Sequence, residues 1–166
     1  TNYLGSVPRL SSVQLWWTTA NETRKASQLY HMDTEDARQL KIFVNLSEVS
    51  AENGPFTFLP ISRSNTLKKI LNYRGGRLQD EKIRQHFSSN QEVHFIGGIG
   101  SGMAVDTSGC IHYGSRTRVG DRLMLMIQYV PFNVQRECNS PPPLLDEKRY
   151  VNDPVRSLIV KTSQNG

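Results

Sequence analysis

The chain predicts a mainly β fold, a sandwich or barrel carrying one helical insertion. Three observations lead there. Short segments rich in β-branched, aromatic and aliphatic residues recur along the 166 residues, with Gly, Pro, Asn and Asp between them. Helix-like spacing of apolar residues is confined to one stretch, about 63–87. The composition, 37% hydrophobic and 21% charged with a mean hydropathy of −0.49, suits one globular domain with a sizeable core.

The elements follow in order. Val13 to Thr19 (VQLWWTT) reads as a strand, and the polar Ala20 to Lys25 as a loop. Ser27 to Asp33 and Gln39 to Leu46 read as two further strands about a polar turn, Thr34 to Ala37. Ala51-Glu52-Asn53-Gly54-Pro55 is a turn, because Asn-Gly tolerates positive φ and Pro fixes the next one. A short strand, Phe56 to Pro60, follows it. Ser64 to Tyr73 and Leu78 to Phe87 then read as helices split by Gly75-Gly76, and this insertion is placed to cover an open end of the sheets. Strands resume at Glu92 to Ile96, Met103 to Thr107 and Asp121 to Val130. The last is apolar on both faces and reads as a central strand buried on both sides. Residues 1–130 thus form the domain, and the Pro-rich 131–166 reads as an irregular tail or wrapping arm.

Composition narrows the function classes. No apolar run approaches the ~18–20 residues of a membrane span, and no basic stretch followed by an apolar one opens the chain. Two cysteines, Cys110 and Cys138, exclude a disulfide framework and a four-cysteine zinc site, and suit a cytoplasmic, reducing compartment. The net charge of +5 lies wholly within Arg63 to His86, where Arg63, Lys68, Lys69, Arg74, Arg77, Lys82 and Arg84 face only Asp80 and Glu81. Such a run is either an ordinary solvated helical face or a cationic surface that draws anionic partners, an anionic small-molecule substrate among them. The stretch lacks the interleaved aromatics that stack on bases, which argues against nucleic acid.

Chemistry concentrates in His31, Asp33 and His112. His31 and Asp33 stand at i and i+2 on an expected strand and point to one face. His112 follows another strand and the turn Asp106-Thr107-Ser108-Gly109. Two imidazoles and one carboxylate on one side of a metal leave its opposite side open, the pattern of non-haem Fe(II) oxygenases. Ten residues beyond His112, Arg122 lies in a strongly apolar strand whose own face carries no acid. A buried cation needs an anion. A distant Asp or Glu is one answer; a ligand carboxylate gripped by the guanidinium fork is the other.

Taken together, Gln28-Leu29-Tyr30-His31-Met32-Asp33, Glu35-Asp36, Leu40 to Leu46, Glu52-Asn53-Gly54-Pro55 with Leu59-Pro60, Asp106 to Gly109 with His112, and Arg122 through Gln128-Tyr129 resemble the phytanoyl-CoA dioxygenase family. The resemblance spans Gln28 to Tyr129. It implies a double-stranded β-helix (jelly roll, cupin-like), with Fe(II) held by His31, Asp33 and His112 as the catalytic centre. It implies Arg122 on the distal carboxylate of 2-oxoglutarate. Gln28, three residues before His31, reads as a contact of the cosubstrate or of the residues around it, with a structural hydrogen-bonding role as the alternative. The implied reaction uses O2, releases succinate and CO2, and hydroxylates a small organic substrate. Arg116 and Arg118 compete with Arg122 for its role; Lys41 and Arg38 could also meet a ligand carboxylate, but exposed strand charges are the preferred reading. The family's Pro-Gly-Ser-His stretch stands here as Pro60-Ile61-Ser62-Arg63, so no substrate role passes to that histidine position. Asp33, being an acid, separates the chain from the halogenase branch, where a small residue stands. Two other readings compete: a cupin-like binding protein with a vestigial metal site, and a nucleic-acid demethylase using the basic insertion.

Overall fold

The computed structural model describes residues 2–34 and 37–132. Seven strands and two short helices follow in chain order: β1 (Pro8–Thr18), β2 (Leu40–Asn45), β3 (Thr57–Phe58), α1 (Ile61–Ile70), α2 (Asp80–Arg84), β4 (Val93–His94), β5 (Gly102–Val105), β6 (His112–Tyr113) and β7 (Arg122–Pro131). All pairings are antiparallel and form two sheets, one ordered β1-β7-β2-β5 and the other β4-β3-β6. The expected jelly-roll class is what the chain adopts.

Alternation along each strand decides what lies between the sheets. From the larger sheet come Phe43, Met124 and Met126, and from the smaller Phe56 and Phe95, all buried in one cluster. The smaller sheet turns its other face, with Tyr30, Leu59, Ile111 and Tyr113, to the helical insertion, which supplies Leu67, Leu78, Ile83 and Phe87. The molecule is therefore three layers deep, and its two apolar clusters share the small sheet between them.

Several expectations need correction. The helices of the insertion pack on the outer face of the small sheet, since their apolar residues meet Tyr30 and Tyr113. The strand expected over Ser27 to Asp33 is a 3-10 turn at Ala26–Gln28, then single bridges from Tyr30 to Leu78 and from His31 to His112. The side chain of Gln28 accepts from Lys25 N (3.0 Å), and this local bond competes with a ladder. β7 is central, between β1 and β2, but only one of its faces is buried. Leu123, Leu125, Ile127 and Tyr129 are half-buried, beside Leu15 and Trp17 of β1, which are 62% and 70% exposed. The expected turn at 34–37 includes residues 35 and 36, and the expected tail runs through 133–166 with Cys138; these lie outside the described residues. No described helix is long and apolar enough to cross a membrane.

Candidate metal centre

His31 and His112 are direct cross-strand partners. His31 N donates to His112 O and His112 N to His31 O, both at 2.9 Å, so the two side chains leave the same face of the pair side by side. Asp33 N donates to Thr107 O (3.0 Å), which carries the pairing to the second residue of the His-x-Asp triplet. The Asp106 carboxylate, through Oδ1, caps Ser108 N (2.9 Å) and Gly109 N (3.2 Å), turning the chain back toward His112. The triplet and the distant histidine thus meet because an Asx-type turn returns one strand beside the other.

The three side chains converge. One ligand atom from each of His31, Asp33 and His112 lies within 4.8 Å of the others. Asp33 Oδ1 is 3.6 Å from His31 Nε2 and 3.8 Å from His112 Nε2. Each imidazole is turned by its other nitrogen: His31 Nδ1 faces Leu29 O (2.8 Å) and His112 Nδ1 faces Cys110 O (3.0 Å). A carbonyl accepts only, so Nδ1 carries the hydrogen and Nε2 presents a lone pair inward.

Electrostatics agree with that geometry. Burial pushes His112 down to about 4, and burial lowers His31 as well, so both rings are neutral near pH 7. Burial opposes ionisation of Asp33, but the Lys41 ammonium, the neighbouring His112 and the hydrogen bond from Lys41 outweigh it and hold the carboxyl below its ordinary value. Two neutral imidazoles and one carboxylate are the protonation states that a divalent ion needs.

Lys41, preferred by sequence reasoning as an exposed strand charge, stands at the centre instead. It is buried, 8% exposed, and its Nζ donates to Asp33 Oδ2 at 2.5 Å. That contact occupies one carboxylate oxygen and leaves Oδ1 toward the histidines. On β2, Lys41, Phe43 and Asn45 form the buried face, while Leu40, Ile42 and Val44 face outward. The outward residues are the more apolar, so hydropathy alternation pointed the wrong way; the readable signal was parity with Phe43.

The centre opens into a cavity of about 510 Å³ whose walls include Trp16, Phe43, Phe56 and Met124. Arg122 lines it too. It is 1% exposed and pairs with no acid among the described residues. Nη1 donates to Gly54 O, Nη2 to Ser115 Oγ (2.8 Å) and, at long range, to Thr18 Oγ1 (3.4 Å), while Nε has no partner. Burial without a counter-charge lowers its pKa to about 10. Its competitors are engaged elsewhere. Arg116 forks onto Asp80 (2.6 and 2.9 Å) with its guanidinium carbon 3.6 Å from the Tyr113 ring centroid, and exposed Arg118 faces Glu52 at 3.7 Å. Exposed Arg38 donates to Tyr3 O (3.3 Å).

Gln28 does not line the cavity. Its Oε1 accepts from Thr23 Oγ1 and Lys25 N, and its Nε2 donates to Asn21 Oδ1 and Ser115 O. It holds the backbone of the same Ser115 whose hydroxyl receives Arg122, and so stands one residue behind the cavity wall.

No family model and no curated protein sequence matches the chain. Solved structures do resemble it. EctD from S. alaskensis in its apoform superposes with a TM-score of 0.58 at 20% identity, covering 81% of this chain and 49% of that one. The same protein with 2-oxoglutarate and 5-hydroxyectoine gives 0.60 at 19%, covering 81% and 48%. Apo HygX from Streptomyces hygroscopicus gives 0.52 at 17%, covering 84% and 65%. The chain spans about half the length of the EctD chains. At such identities the likeness establishes the fold.

Proposed function

We propose that the protein is a non-haem Fe(II)- and 2-oxoglutarate-dependent dioxygenase, of the phytanoyl-CoA dioxygenase type, that hydroxylates a small organic substrate. The observation that carries this reading is the buried, acid-free Arg122 in the same cavity as the His31, Asp33 and His112 cluster. Taking a guanidinium out of water costs several kcal/mol, on the order of what a few hydrogen bonds to a charged group return at about 1.5–3 kcal/mol each. Arg122 has one close carbonyl, one close hydroxyl and a bare Nε. A carboxylate entering the cavity gives it the missing charge.

The donor set fits the metal. His31 Nε2, His112 Nε2 and Asp33 Oδ1 would hold Fe(II) on one side, leaving positions open toward the cavity. When bound, the metal with 2-oxoglutarate supplies the oxidising chemistry that inserts one O2 atom into a C–H bond and places the other in succinate. The chain's own residues do the rest. Lys41 fixes which oxygen of Asp33 faces the metal, Arg122 orients the cosubstrate by its far carboxylate, and Trp16, Phe43 and Phe56 keep the site apolar. EctD, whose fold this chain shares, has been solved with bound Fe and with 2-oxoglutarate, which supports the same pairing here.

The test is turnover with O2, Fe(II) and 2-oxoglutarate, read as succinate with a +16 mass shift in one member of a compound library. Succinate release that Asp33→Ala abolishes is expected; release unchanged in that variant contradicts the assignment. A vestigial binding protein would bind without releasing succinate. A demethylase would show nucleic-acid binding that falls steeply with salt.

A further inference from the structure

The insertion sends one residue into the cavity. Of its seven cations only Arg77 is among the lining residues, beside Trp16, His31 and Asp33. Its place is built: Gly75 and Gly76 adopt φ values of +133° and +87°, a region that side chains disfavour, and so make the turn that leads into Arg77. The Tyr73 hydroxyl donates to Gly76 O (2.6 Å) and accepts from Met32 N (3.3 Å), tying this loop to the strand between the two ligands His31 and Asp33. From the far side, Arg77 Nη1 donates to Ala26 O (2.6 Å), which fixes the guanidinium and leaves its other N–H groups unused by any described acid. Its neighbours differ: Arg84 is paired with Glu92 and Arg116 with Asp80.

Charge in the cavity is lopsided. Lys41, Arg77 and Arg122 line it, and Asp33 is the one acid among its lining residues. With Fe(II) and doubly anionic 2-oxoglutarate bound, these charges sum to +2: Lys41 is matched by Asp33, and Arg122 and Arg77 are left, of which Arg122 would be engaged by the far carboxylate of the cosubstrate. Arg77 then remains as a cation lining the cavity, with no described acid and no part of the cosubstrate assigned to it.

From this arrangement we infer that Arg77 is the specificity-determining residue for the oxidised substrate, which is a small acid with an apolar body and an anionic group bound at Arg77. The inference rests on the oxygenase reading above. The limited cavity, shared with the cosubstrate, excludes a long chain from lying wholly inside.

Both tryptophans of the chain, Trp16 and Trp17, line this cavity, so intrinsic fluorescence reports its occupancy. The experiment titrates 3-phenylpropanoate and its neutral isostere 3-phenylpropanamide, without O2, into protein saturated with Fe(II) and 2-oxoglutarate. Saturation keeps the probes off Arg122. The expected result is carboxylate binding about tenfold or more tighter than the amide, one charge-assisted contact's worth. Arg77→Gln removes the preference, Arg77→Lys keeps part of it, and neither changes the affinity for 2-oxoglutarate. Equal affinities, no carboxylate binding, or a preference surviving in Arg77→Gln overturns the assignment of Arg77. The 2-oxoglutarate titration of the same samples judges the underlying reading separately. Failure of Fe(II)-loaded protein to bind 2-oxoglutarate contradicts the oxygenase reading, and this inference with it, whereas normal cosubstrate binding without a carboxylate preference contradicts Arg77 alone.

Discussion

Lys41 shows how one buried charge organises the centre. With Nζ on Oδ2, Asp33 is turned so that Oδ1 faces both histidines. Lys41→Met keeps most of the apolar stem and deletes the ammonium. Fe(II) affinity, measured by anaerobic titration, is expected to fall about 10- to 100-fold, the usual effect of losing a partner that orients a ligand. An unchanged affinity would mean that Asp33 is positioned by its backbone alone. The cluster itself was legible: His31 and Asp33 from their i, i+2 spacing, although the strand expected there is a 3-10 turn and single bridges, and His112 from its turn and the pattern shared with a known family. Arg122 was legible as a cation among apolar neighbours. Lys41 was misread because its strand is more apolar on the outward side, and of the roles open to Gln28 the structure has the hydrogen-bonding one, which its distance from His31 along the chain could not decide because that does not say which way a 3-10 turn points it.

Between the elements, the Asn53-Gly54 turn connects the fold to the site. Gly54 has φ +68°, and a Cβ there would lie 2.5–2.7 Å from the backbone of Arg116 and Thr117. Its carbonyl accepts from Arg122 Nη1, so one hydrogen bond joins the turn to Arg122. Gly54→Ala is therefore expected to lower stability by about 2–4 kcal/mol, combining positive-φ strain with a backbone clash that cannot relax. Urea denaturation checks it, and a loss under about 0.5 kcal/mol, the range of a neutral surface change, would show that the two segments move apart freely. The turn itself was readable from Asn-Gly-Pro. The smaller sheet was harder to read, because strands of two residues such as β3, β4 and β6 are too short to show alternation. The insertion's docking face was also hidden: its helices bury few residues each, and their partners, Tyr30 and Tyr113, are distant in sequence.

The assembled protein combines a cationic insertion with a buried cluster of neutral histidines. Because the folded state keeps His31 and His112 neutral while the unfolded chain protonates them near 6.5, the unfolded state binds more protons as pH falls. The metal-free protein should lose stability between about pH 6.5 and 4, by up to about 1.4 kcal/mol per pH unit for each ring held neutral. Asp33 acts in the same direction at lower pH, since stability from a carboxyl held below 3.8 is present above that value and is lost as pH falls through the lowered one. Thermal midpoints of metal-free protein from pH 7.5 to 4.5 check this. A flat profile would mean that the rings are not held neutral, and the double variant His31→Leu, His112→Leu should flatten the upper part of the slope.

The central claim, that Arg122 and the His31, Asp33 and His112 cluster form one cosubstrate site, is most directly tested by titrating 2-oxoglutarate into the Fe(II) protein without O2. Wild type is compared with Arg122→Lys and with Arg118→Lys, the latter altering an exposed arginine far less constrained. Loss of the guanidinium fork is expected to cost about 2–3 kcal/mol, an affinity about 30- to 150-fold weaker, with Fe(II) binding unmoved and Arg118→Lys like wild type. Equal affinity in Arg122→Lys and wild type, or a loss confined to Arg118→Lys, would contradict it.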